Sequence, residues 1–124
     1  MAQLLVDGGE LVVRLTWGEK VWGLHGDVRV PLASVRSVSA PDNAWAQLRG
    51  WRMAGTGIPG LIALGTRRHG DGYDFTAVHR QRPAIQVDLN APPRWQRLLV
   101  SVGDGVDAGA EADRIAAAAG IARS

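Results

Sequence analysis

The chain has 124 residues, the size of one domain, and a formal net charge of +2. It has no cysteine, which excludes disulfides, thiolate zinc sites and cysteine nucleophiles. Lys20 is its one lysine and acids lie among the arginines along most of the chain, so the clustered excess charge of a nucleic-acid footprint is missing and no nucleic-acid partner is expected.

Leu4–Val6 is too short for the apolar core of a signal peptide, and Met1-Ala2-Gln3 before it is uncharged. The longest apolar stretch, Ile58 to Leu64, is interrupted by Pro59 and Gly60 and is far below a membrane span, so a cytoplasmic protein is expected. Leu11 to Trp17 reads as a strand, with Leu11, Val13, Leu15 and Trp17 on one face and Arg14 as its charged interruption. Trp17 to Lys20 reads as a turn, Lys20 to His25 as a second alternating strand, Gly26-Asp27 as another turn, and Val28 to Leu32 as a third strand. In that third strand Pro31 cannot donate a ladder hydrogen bond and marks an edge or a bulge. Ser34 to Ser39 resumes a period of two.

Asp42 is placed to cap a short helix carrying Ala44, Trp45 and Leu48. Gly50 to Gly60 has the Gly/Pro content of a loop, and Gly60 to Thr66 reads as a buried strand. Arg67 to Gly72 is expected to turn into Tyr73–His79, which alternates with Tyr73, Phe75, Ala77 and His79 on one face. Ala84–Leu89 and Arg97–Val102 are two more strands, with Pro92-Pro93 in the loop between them. The tail changes period: Ala108, Ala112, Ile115 and Ala119 share one helical face, Asp104 or Asp107 can cap it, and Gly120 can end it. The expected architecture is a single domain over 1–124, mainly β. It is a small barrel or split sandwich of about seven antiparallel strands within 3–102, followed by one helix over about 106–119.

An apolar helix face after the last strand would plug one end of such a sandwich, which looks like the pleckstrin-homology-like superfold. The chain also resembles a set of small bacterial PH-like proteins, seen mainly in actinobacteria. The residues that carry the resemblance are Leu24–Leu32, Gly55–Gly60, Ala63–Thr66, Asp74-Phe75, Leu98–Val102 and the final helix. It covers nearly the whole chain and implies a fold more than an activity. Phosphoinositide-binding PH domains carry a lysine and two spaced bases around their first two strands. Here Lys20 and Arg29 are the nearest match, Pro31 occupies the position of the second base, and Glu19 and Asp27 add opposing charge.

Gly55-Thr56-Gly57-Ile58-Pro59-Gly60 spells G-x-G-x-x-G, but a dinucleotide fingerprint needs a strand before it and a helix after it. An apolar run follows instead, so the segment is read as a loop needing positive φ and close backbone approach, and no cofactor is expected. Five tryptophans are many for this length; Trp17 and Trp22 suit the core, while Trp45, Trp51 and Trp95 lie in or beside predicted loops and are candidates for an interface anchor. Arg49, Arg52, Arg67 and Arg68, with His69, flank the Gly-rich segment, and Arg80 and Arg82 follow the next strand. Hairpin pairing would gather them into the most basic patch, diluted by Asp42, Asp71 and Asp74.

His25, Asp27 and one of Ser34, Ser37 or Ser39 are the residue types of a catalytic triad, without a nucleophile elbow or any other supporting spacing. No catalytic or metal-binding residue is assigned, and the chain is not expected to be an enzyme. The leading expectation is a non-catalytic binding or scaffolding module that recognises a protein partner or its own copy. Its surface would comprise Trp45, Arg49, Trp51, Arg52, Gly55, Gly57, Ile58, Pro59, Arg67 and Arg68. The alternatives are peripheral contact with anionic lipid headgroups through the arginines, and a small ligand held between barrel and helix by Leu and Val side chains, with His79 a candidate beside them.

Overall fold

The computed structural model of the chain describes residues 3–15, 27–48, 51–58, 62–69, 72–79, 82–90, 95–103 and 105–122, with the backbone alone at 51–54, 56, 58 and 69. Among them are nine strands: β1 (Gln3–Asp7), β2 (Glu10–Arg14), β3 (Val28–Pro31), β4 (Val35–Ser39), β5 (Trp51–Ile58), β6 (Ile62–His69), β7 (Gly72–His79), β8 (Ala84–Leu89) and β9 (Trp95–Ser101). One helix, α1 (Ala108–Ala119), follows them. The strands form a three-stranded sheet in the order β1-β2-β3 and a six-stranded sheet in the order β4-β8-β9-β7-β6-β5. The mainly β reading with a C-terminal helix is borne out as a small split sandwich, and the described residues do not close into a barrel.

Two features depart from the sequence reading. Nine strands stand where about seven were expected, because Leu4–Val6 lies inside β1 and the Gly-rich segment forms β5. Among the described strands one pair, β7 with β9, is parallel and every other pair is antiparallel. The expected strand Lys20–His25 and its turns, with Trp17 and Trp22, lie outside the described residues.

Period-two alternation places the core. Leu11 and Val13 of β2, Val28 and Val30 of β3, Phe75 and Ala77 of β7, Ile85 and Val87 of β8, and Leu98 and Val100 of β9 all enter one cluster between the sheets. α1 closes this core with Ala108, Ala112, Ile115 and Ala116, and it packs on β4 and β8. Its small alanines let the backbone approach the sheet, and Ile115, fully buried, is its one large apolar side chain. The Asp107 side chain accepts from the Ala110 N–H at the start of the helix. At its end Gly120 adopts φ 75°, and the Gly120 and Ile121 amides donate to Ala117 and Ala116, closing the backbone carbonyls that a helix end leaves open.

The other face of the six-stranded sheet is covered by the segment after β4. There a 3-10 turn (Trp45–Gln47) begins with the Asn43 side chain accepting from the Trp45 amide, in place of the Asp42-capped helix the sequence suggested. Ala44 is buried against Ala63, Val78, Ala84 and Leu99, with Trp45 and Leu48 half-buried around them.

Candidate functional site

The segment expected to be a Gly/Pro-rich loop is β5, an eight-residue strand that ends its sheet among the described residues. The loop reading took glycine as a turn former, yet Ala54, Thr56 and Ile58 alternate with Gly55 and Gly57. That is a period of two whose second face carries no side chain to reveal it. The requirement for close backbone approach holds at Gly55, which sits at φ 107°, where a Cβ atom would lie 2.0 Å from the Leu64 carbonyl oxygen. The register slips by one residue between Arg52 and Ala54, a β-bulge, and from Ala54 to Ile58 every residue pairs with β6 without interruption. Gly55 and Gly57 therefore lie inside a strand and not at a strand–helix junction. Arg49, Pro59 and Gly60 lie outside the described residues.

Strand pairing, not turn proximity, gathers the arginines. Arg67 and Arg68 belong to β6, which runs on to His69, where the sequence suggested a turn beginning at Arg67. Arg52 takes the register position opposite Arg67, and Trp51 the position opposite Arg68. Beyond β6 the first of these rows continues through Asp74 of β7, Arg97 of β9 and Asp88 of β8 to Ser37 of β4. A single line of polar and charged residues thus crosses all six strands. The adjacent row runs from Trp51 through Arg68 and Tyr73 to Trp95, with the exposed Arg68 guanidinium 5.7 Å from the centroid of the Tyr73 ring.

The inner end of the charged row is a built cluster. Arg97 Nε donates to Asp88 Oδ1 at 2.7 Å, and the two side chains keep only 15% and 11% of their surface exposed. Gln86 Nε2 and Ser37 Oγ donate to Asp88 Oδ2, and Arg97 Nη1 donates to the Gln47 carbonyl. That last bond fastens the covering segment to the sheet. Burial pushes the Asp88 carboxyl pKa up, but the Arg97 and Gln86 hydrogen bonds, the Arg97 charge and the Ser37 hydroxyl outweigh it and hold it below the usual carboxylate value. The sequence reading did not group these residues, and Ser37 entered it as a triad candidate, since partners 51 residues apart leave no local signal.

The tryptophan candidates separate. Trp95 opens β9 and is 7% exposed, packed edge-on to Phe75 with ring centroids 5.7 Å apart. It is a core residue and not a loop-borne anchor. The register shift between Tyr73 and Asp74, where Gln96 is the extra residue, turns it to the inner face. Trp45 is half-buried in the covering segment. Trp51 begins β5, an end strand of the six-stranded sheet among the described residues.

The residues considered for a triad are dispersed. Asp27 Oδ1 accepts from the Leu15 amide at 2.8 Å, Ser34 Oγ donates to the Pro31 carbonyl, and Ser37 binds Asp88, while His25 lies outside the described residues. Among the described residues no three His, Asp or Glu side chains gather as metal ligands would, and no helix is long and apolar enough to cross a membrane. A cavity of about 360 Å³ lies between β1, the ends of β8 and β9, and α1, lined by Leu4, Leu5, Val100, Val102 and Val106, with Arg114 at its helical side. It has the Leu/Val lining expected between sandwich and helix, and His79 is not among its lining residues.

The chain matches no family model, and no curated protein or solved structure is significantly similar to it.

Proposed function

We propose that this chain is a non-catalytic binding module that takes up an extended segment of another protein alongside β5, on a split-sandwich frame of the kind the PH-like resemblance implies. An edge strand presents a row of backbone donors and acceptors and is a template for an added strand. The observation that supports this reading is the contrast between β5 and the other edges. β1 has its Leu4 carbonyl engaged by Arg114 Nη2 at 3.2 Å. β3 is four residues long, ends on Pro31, and carries the exposed Arg29 beside Asp7 and Glu10. β4 is packed by α1. β5 is twice the length of β3, its run Ala54-Gly55-Thr56-Gly57-Ile58 contains no charged residue and no proline, and among the described residues no strand pairs with its outer side.

A selection of random eight-residue peptides displayed against the whole chain tests the reading. Strand amides point alternately toward β6 and outward, so one of Thr56→Pro and Gly57→Pro removes an outward donor and spares the ladder to β6. Selected peptides should bind the wild type and lose binding to the variant that keeps native circular dichroism. Equal binding to that folded variant, or no selection at all, would remove β5 from consideration.

A further inference from the structure

We infer that the cavity between β1, α1 and the ends of β8 and β9 is a second binding site, independent of β5, for an uncharged amphiphile. Its ligand is a short aliphatic chain that ends in a hydrogen-bond-accepting carbonyl, as in an amide or an ester. At about 360 Å³ the space falls in the ~300–1,000 Å³ range of small-ligand sites. It has room for about a dozen non-hydrogen atoms, each taking roughly the 30 Å³ of a liquid water.

The inner wall and the opening differ in chemistry. Leu4, Ile85, Val100 and Val102 line the cavity and are buried core residues. An apolar wall of this kind favours a hydrocarbon chain over water. Gln3, Val106 and Arg114 also line it and are exposed, so the space opens to solvent along them. Val106, at 43%, is the one exposed large apolar side chain among the described residues, and an aliphatic chain in the cavity would cover it.

Charge at the opening decides the head group. Glu111 and Arg114 are the charged residues of the lining, and Arg114 Nη2 donates to Glu111 Oε2, so the pair cancels. A carboxylate head would meet Glu111 and an ammonium head would meet Arg114, and neither finds a counter-charge that is not already paired. Hydrogen-bonding capacity remains. The same Nη2 donates to the Leu4 carbonyl at 3.2 Å, which ties α1 to β1 and holds the guanidinium at the cavity wall. Its Nε and Nη1 donors make no bond among the described residues, and a carbonyl head accepts from such donors without adding charge.

Octanamide, octanoate and octylammonium share one chain length and differ in head charge. Titrated at neutral pH and low salt into the isotope-labelled whole chain, octanamide should shift the amide signals of residues 3–6, 100–103 and 106–114. It should bind about 5- to 10-fold more tightly than either charged homologue. Val106→Asp, at an exposed position, should weaken octanamide about 5-fold while circular dichroism stays native. Glu111→Gln removes the counter-charge and should raise octanoate to at least the affinity of octanamide. The wild-type comparison of the three heads stands even if that variant folds poorly. The folded β5 proline variant should bind octanamide as the wild type does, so failure of this site is distinct from failure of strand addition. No shift at the lining residues with any of the three, or full octanamide binding by folded Val106→Asp, would overturn the site. Octanoate or octylammonium binding the wild type as tightly as octanamide would overturn the uncharged ligand.

Discussion

Gly55 and Asp88 show how single residues decide the geometry of the edge and of the sheet behind it. A Cβ at Gly55 would meet the Leu64 carbonyl at 2.0 Å, and its φ of 107° is one that L side chains rarely adopt. Gly55→Ala should therefore destabilise the chain by roughly 1–3 kcal/mol, because both the strain and the clash fall on the β5–β6 ladder. Urea denaturation of wild type and variant measures this. Asp88 is ionised more readily in the folded protein than a free carboxylate, since the Arg97 and Gln86 bonds outweigh its burial. Its ionised form contributes stability that is fully present above about pH 5, past the unfolded pKa near 3.9, and is lost as the pH falls through the depressed folded value. Asp88→Asn should lower stability at pH 7 by about 1–3 kcal/mol and flatten the loss between pH 5 and pH 3. Thermal unfolding across that pH range compares the two slopes, and parallel slopes would contradict the assignment.

At the scale of elements, legibility followed the length of the side-chain signal. Ala84–Leu89 is read from the sequence with both its bounds, because Ile85, Val87 and Leu89 alternate into one core. α1 is equally plain: its apolar face, its Asp107 cap and its Gly120 terminus all point to the same helix. Asp107→Ala should cost about 1 kcal/mol by leaving the Ala110 amide without its cap, a loss that urea denaturation resolves. β5 is the element that composition conceals. Glycine at two of five positions removes the residues that would have shown an alternation, and the same glycines count as turn formers in a linear reading. The bulge near its start shifts the register as well, so neither strand face carries an unbroken pattern. The arginines near it were legible as a group, but not as a row across the sheet. Their neighbours Asp74, Arg97 and Asp88 come from strands that sequence order does not make adjacent.

Considered as a whole molecule, the sandwich divides its two large surfaces between different tasks. The inner face of the six-stranded sheet is apolar and joins the three-stranded sheet and α1 in one core. The outer face carries the charged row and is covered by the segment that Arg97 holds through the Gln47 carbonyl, which packs on Ala63, Val78, Ala84 and Leu99 of β6 to β9. That arrangement places β5 at the far end of the same sheet, the last strand of its order among the described residues. The cavity between β1 and α1 is the competing location for a ligand. Amide hydrogen exchange of the whole chain, with and without a selected peptide, separates the two most directly. The account predicts slowed exchange at alternate amides within residues 51–58, with β1 and α1 unchanged. Protection confined to residues 3–6 and 106–114, with β5 exchanging as before, would contradict it.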